Sequence, residues 1–262
     1  MPRANRHFLP GHVWHITHRC HQKKFLLKFA RDRQHYLRWV FEAKKRFGLS
    51  VLDYIVTCNH VHLLVRDSGP NVIANSMQLI AGRTGPEYKQ RKGRHGAFWE
   101  DRYHATAISV DEHLHRCLVY IDLNMVRAGV VKHPLNWVYS GFYEVEQSPR
   151  RYRLIDLPAL LALCGFSKQA DFQQAHRQWV DEALQGALAM RDARWTEALA
   201  VGSQTFVEKI KEELGSKALY RELEQVDGTY ALRESGEAYS SHFALENEAL
   251  RNKNALLWNT IA

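Results

Sequence analysis

Apolar and polar positions alternate through most of the first hundred residues, interrupted twice by helical recurrence. Residues 12–19 (His-Val-Trp-His-Ile-Thr-His-Arg) read as a first strand, with Val13 or Trp14 setting the core face. Residues 31–47 change period: Tyr36, Leu37, Val40, Phe41, Lys44 and Phe47 recur as on a helix, and Gly48 suits its C-terminal stop. Apolar, β-branched strands follow at 50–57 and 60–66, joined by a short turn near Asn59. Asp67-Ser68-Gly69-Pro70 breaks the chain. A helix of about 71–90 comes next, in which Gly82 and Gly85-Pro86 predict a kink or an early end. A fourth strand spans 97–108. This β-α-β-β-α-β order predicts an α+β, ferredoxin-like antiparallel sheet, with the first two helices on one face and the other face left for a site.

The next helix has its own punctuation. Ser109-Val110-Asp111-Glu112 matches a capping box, and Gly129 suits the position just past the C-terminus. Leu114, Leu118, Ile121, Met125 and Ala128 form the apolar stripe, and Arg116, Tyr120, Asn124 and Arg127 a polar one. Tyr120 and Asn124, four residues apart, are neighbours on that face. Within the third strand, Val61, Leu63 and Val65 point one way while His60 and His62 point the other. One strand repeat separates the two imidazoles, about 7 Å along the chain, and imidazole is a common ligand for divalent ions. A pair of ordinary surface histidines satisfies the same pattern.

Charge adds a partner class. Residues 1–150 carry a net +11 and residues 151–262 a net −3, and thirteen of the fifteen histidines lie in the first part. A basic, aromatic-rich half suggests contact with a polyanion. Arg19, Lys23 and Lys24 lie in one basic stretch, Arg94 in another (Lys89–Gly96), and Arg102, Arg116 and Arg127 are further phosphate-contact candidates. No apolar run is long enough to span a membrane, the N-terminus has no apolar signal core, and the four cysteines form no C-x-x-C pair. These features read as a reduced, cytoplasmic protein without a membrane partner or a thiolate zinc site.

Three ordered motifs then carry a resemblance: Asn59-His60-Val61-His62-Leu63-Leu64, Phe98-Trp99-Glu100-Asp101-Arg102-Tyr103, and Tyr120-Ile121-Asp122-Leu123-Asn124-Met125-Val126-Arg127-Ala128-Gly129. Over about residues 5–145 the chain resembles the single-tyrosine HUH transposases, in their IS200-like, REP-associated tyrosine transposase branch. Pro10-Gly11 followed by His15-Ile16-Thr17 also fits that family's opening. The resemblance implies that His60 and His62 bind a catalytic Mg²⁺ or Mn²⁺, that Asn124 completes the metal site, and that Tyr120 is the nucleophile. It also implies single-stranded or hairpin DNA, near repeated sequences, as partner. One departure shows: the family usually has proline where Met125 stands, which restores a backbone donor and deletes no functional group.

The chemistry is consistent with these residue types. A tyrosine attacking a phosphodiester conserves bond energy in a 5′-phosphotyrosine and so permits strand transfer. Mg²⁺ prefers oxygen and Mn²⁺ accepts imidazole more readily, which leaves the ion open. Tyr103 is the rival nucleophile. A histidine-triad hydrolase would need a histidine at Leu64, and a two-histidine phosphoesterase a second His-x-Thr/Ser motif. The alternative of another class is a non-catalytic DNA- or RNA-binding regulator on the same scaffold. Residues 1–147 read as the transposase domain and 148–262 as a mostly helical accessory region, with helices at 157–163, 172–190, 205–214 and 216–226 and a loosely ordered tail after Tyr239. Monomer and homodimer both stay open.

Overall fold

The computed structural model describes residues 9, 11–148, 151–186, 192–218 and 221–234. Its first six elements are β1 (Val13–Arg19), α1 (Ala30–Phe47), β2 (Ser50–Val56), β3 (His60–Arg66), α2 (Val72–Lys92) and β4 (His104–Ile108). The strands lie in the order β2-β3-β1-β4, all neighbours antiparallel. This is the split βαβ arrangement that the hydrophobic pattern predicts. Gly48 ends α1 in the left-handed conformation, as expected.

Two local expectations are corrected. The fourth strand covers only residues 104–108; before it the chain is irregular and touches the sheet through an isolated bridge between Trp99 and Cys20. The helix α2 runs on to Lys92 through Pro86. Gly82, four residues before Pro86, has no side chain to crowd the ring, and Gly85 sits where a Cβ would lie 3.2 Å from Phe98 Cβ. Packing against Phe98 thus holds a segment whose local propensity would end it.

α1 and α2 pack on each other and cover one face, where Tyr36 meets Trp99 and Trp99 stacks on His18 at 3.9 Å. The other face carries α3 (Glu112–Asp122), α4 (Asn124–Arg127) and, after α5 (Gly141–Glu146), α6 (Leu157–Leu163) and α7 (Gln169–Gln185), a one-turn helix α8 (Arg194–Glu197). The cap of α3 differs in detail from the capping box. Asp111 is the N-cap, accepting from the His113 amide, and Ser109 donates to the Asp111 carboxylate at 2.5 Å. Gly129 adopts the expected positive φ of 69°.

Beyond the helices the sheet grows. β5 (Ala200–Gly202) pairs in parallel with β4; after α9 (Gln204–Leu214), the hairpin β6 (Arg221–Val226) and β7 (Thr229–Glu234) completes the order β2-β3-β1-β4-β5-β7-β6. The helix expected over 216–226 is therefore a short 3₁₀ turn followed by a strand. Arg-Glu-Leu-Glu-Gln has good helix propensity, but Asp227 and Gly228 both take positive φ, 52° and 74°, and form a two-residue hairpin turn. The larger buried apolar core runs from Val13 to Leu232 and includes Leu160, Trp195 and Val201, and a smaller cluster gathers Leu123, Phe142, Val180 and Ala183. The end of the expected 172–190 helix and the tail after Tyr239 lie outside the described residues.

Candidate active site

β3 and β1 set the floor of the site. The pairing Arg19↔His60, Thr17↔His62 and His15↔Leu64 places His60, His62 and His15 on one face, opposite Val61, Leu63 and Ile16. This face is covered, which corrects the expectation of an open surface: His15 is 0% and His62 2% exposed, and only His60 is part-exposed.

Hydrogen bonds fix the rings. Asn59 Nδ2 donates to the Lys23 carbonyl at 3.1 Å, turning its Oδ1 toward His60 Nδ1 at 2.7 Å. An amide oxygen only accepts, so the His60 proton sits on Nδ1. Thr57 Oγ1 lies 3.0 Å from the same nitrogen. His62 Nδ1 lies 2.8 Å from His15 Nε2, while Asn124 Nδ2 lies 3.0 Å from His62 Nε2. His15 Nδ1 in turn lies 2.8 Å from the Trp195 carbonyl oxygen on α8. Burial pushes the His15 imidazole down to about 3, so the ring is neutral at ordinary pH.

α3 brings the tyrosine over this floor. The Tyr120 ring is 8% exposed and stands edge-on to His62 and His15, with centroids 6.0 and 6.1 Å away. On its other side it meets Trp195 at 6.0 Å, and the Arg127 guanidinium lies 4.3 Å from its centroid. Arg127 also donates to the Tyr120 carbonyl. Burial lowers the Arg127 pKa, an effect that Tyr120, Asp122 and Asp192 oppose. α3 and α4 meet at Leu123, whose ψ of 2° makes a hitch, but the bonds Leu123 N to Val119 O and Arg127 N to Leu123 O carry the turn across it. Asn124 thereby stays one turn beyond Tyr120 and reaches His62.

The other candidates divide. Arg19, ion-paired with Glu100, and Lys23 lie at the His60 end of the sheet, with Lys24 exposed beside them. Exposed Arg102 is in the loop before β4, and Arg94 follows the C-terminus of α2. Arg116 is not part of the expected polar stripe over the site: it is exposed, pairs with Glu112 and donates to Thr229 on β7. Tyr103 lies against His18 on the α1–α2 side of the sheet, away from His62. Sequence reasoning assigned no role to His15 or Trp195. The same-face alternation of Val13, His15 and Thr17 could have pointed to His15; nothing local marks Trp195. Among the described residues no three His, Cys, Asp or Glu side chains gather as a metal cluster; beside the histidine pair stands the Asn124 amide, whose Nδ2 lies 3.0 Å from His62 Nε2.

Residues 10–124 match the family model described as Transposase IS200 like, a stretch that begins just before β1 and ends on Asn124. That part of the chain is similar to IS200-like transposases. Among solved structures, the chain is similar to a REP-associated tyrosine transposase bound to a REP hairpin, at 19% identity over 58% of this chain and 90% of that one, with a TM-score of 0.48. A putative transposase from Deinococcus radiodurans R1 matches at 18% identity over 43% of this chain and 88% of that one, with a TM-score of 0.32. No curated protein matches the chain. No helix among the described residues is long and apolar enough to cross a membrane.

Proposed function

We propose that the transposase-like activity is metal-dependent cleavage and rejoining of single-stranded or hairpin DNA, with Tyr120 as nucleophile and a 5′-phosphotyrosine intermediate. The observation that carries this reading is the Tyr120 ring held against His62 on the His60–His62 face, with Asn124 reaching the same imidazole. The donor chemistry fits a divalent ion: the bonding of Asn59 and His15 leaves each ligand imidazole with its lone pair on Nε2, and Asn124 adds an amide. His60, His62 and Asn124 would hold Mg²⁺ or Mn²⁺, which when bound polarises the scissile phosphate and stabilises the leaving 3′ oxygen.

The chain's own groups do the rest. The Tyr120 oxygen gives up its phenolic proton and attacks phosphorus as the P–O3′ bond breaks, and the 3′ oxygen takes up a proton and leaves as a hydroxyl. Arg127, over the Tyr120 ring, counters the negative charge of phosphate and phenol. Arg19, Lys23 and Lys24, with Arg94 and Arg102, form a basic margin for the DNA backbone. In this reading residues 1–147 carry the chemistry, and residues 148–262 buttress it through Trp195. Four unpaired cysteines suit a reducing cytoplasm. The test is cleavage of single-stranded oligonucleotides bearing hairpins, with Mg²⁺, with Mn²⁺ and with EDTA. The reading expects strand scission with either ion and none with EDTA; undiminished cleavage in EDTA overturns it.

A further inference from the structure

Among the described residues, the chain beyond Asn124 reaches the imidazole floor through the Trp195 carbonyl. Trp195 is carried on α8, a single turn seated on β1 and β4, and its carbonyl oxygen also lies 3.3 Å from Thr106 Oγ1. Next to it Thr106 Oγ1 donates to the Ala198 carbonyl at 2.7 Å, and His104 Nε2 bonds that carbonyl at 2.9 Å. β4 thus holds the residues around α8 in register over the site.

We propose that the Trp195 carbonyl, acting through His15, sets the tautomer of His62, so that a segment outside the transposase-family stretch determines which nitrogen His62 offers to a metal ion. The inference rests on the reading of His62 as a ligand. A carbonyl oxygen accepts only, so the His15 nitrogen facing it, Nδ1, carries the proton. A neutral imidazole carries one proton, and with it on Nδ1 the His15 Nε2 is a bare acceptor. The nitrogen opposite, His62 Nδ1, must then carry the His62 proton, which leaves the lone pair on Nε2. Asn124 gives the same answer from the other side, because its Nδ2 group only donates and faces Nε2. Without the relay, His62 is able to place its proton on Nε2, the tautomer that cannot ligate there. His15 is therefore a positioning residue, acting on the site through His62 as metal-site partners commonly do.

Long-range ¹⁵N–¹H correlation spectra of the metal-free full chain read the His62 tautomer directly, and Mn²⁺ titration reads its consequence. The wild type is expected to show His62 protonated on Nδ1. His15→Gln retains a donor for Trp195 and an acceptor for His62; it should keep that tautomer and bind Mn²⁺ within a few-fold of wild type. His15→Leu fills similar space without either bond; it should lose the fixed tautomer and weaken Mn²⁺ binding by about 10–100-fold. A wild-type His62 protonated on Nε2 overturns the proposal, as does a His15→Leu protein with unchanged tautomer and affinity. Should His15→Leu fail to fold, the wild-type tautomer and the His15→Gln protein decide. A wild type with Nδ1-protonated His62 and no Mn²⁺ affinity overturns the metal reading while the relay stands.

Discussion

A phenol is a weak nucleophile until its oxygen is aimed and its developing charge is met. Tyr120 is held on several sides, by His15 and His62 at its edge, Trp195 on another side and Arg127 near its face. The same enclosure changes what mutating the floor should do. The sequence pattern placed His60 and His62 on an open face, where loss costs little packing. His62 is instead buried between His15 Nε2 and Asn124 Nδ2. His62→Ala leaves both groups without that partner and should cost about 1–3 kcal/mol of stability. His60→Ala, at a part-exposed position, should cost less. Urea unfolding of the metal-free proteins checks this; equal midpoints for the two variants would contradict the described burial. The tyrosine, the histidine pair and Asn124 were legible because each belongs to a short motif on one regular element. His15 and Trp195 were not, because their roles arise only when β1 and α8, 180 residues apart, come into contact.

At the scale of elements, regular periodicity was readable and long-range pairing was not. β1, β2, β3 and α1 lie where their apolar spacing put them. β5 has three residues and β6 a helix-favouring composition; their strand state comes from the pairing β4-β5-β7-β6, a tertiary effect that overrides propensity. The junction of β5 with α9 offers a test of that pairing. A Cβ on Gly202 would lie 2.4 Å from Ser109 Cβ and 2.7 Å from Phe206 Cδ1. Ser109 follows β4 directly, so Gly202→Ala forces the added strands away from β4. It should destabilise the chain by about 1–3 kcal/mol, read as a lowered thermal midpoint. An unchanged midpoint would show that β5 does not sit against Ser109.

Over the whole molecule, charge and buried titration set the conditions for activity. The net +11 of residues 1–150 predicts DNA affinity that falls steeply with salt and favours single-stranded or hairpin DNA over plain duplex. Equal, salt-insensitive binding to perfect duplex, measured by fluorescence anisotropy, would contradict it. Buried titratable groups also make stability depend on pH, in both directions. Burial lowers His176, which is 2.7 Å from Asp122, to about 4 from an ordinary 6.5. Between those values the unfolded chain binds a proton that the folded chain refuses. Stability therefore falls as pH drops through that window, by up to about 1.4 kcal/mol per pH unit from this group. Burial raises Asp53 and Asp122 above the usual carboxylate range; the folded chain then holds protons that the unfolded chain releases, so these two act in the opposite direction. His176→Gln should flatten the acid limb of urea midpoints measured from pH 6.5 to 4.5, and an unchanged limb would contradict the assignment.

The central claim is that Tyr120 becomes covalently joined to DNA. Incubating the protein with 3′-end-labelled, hairpin-bearing single strands in Mn²⁺, then resolving it under denaturing conditions, reads that bond directly. Wild type and Tyr103→Phe should carry the label, because Tyr103 lies on the far side of the sheet. Tyr120→Phe keeps the ring and its contacts but has no attacking oxygen; it should bind the same DNA and carry none. A labelled Tyr120→Phe beside an unlabelled Tyr103→Phe would contradict the account.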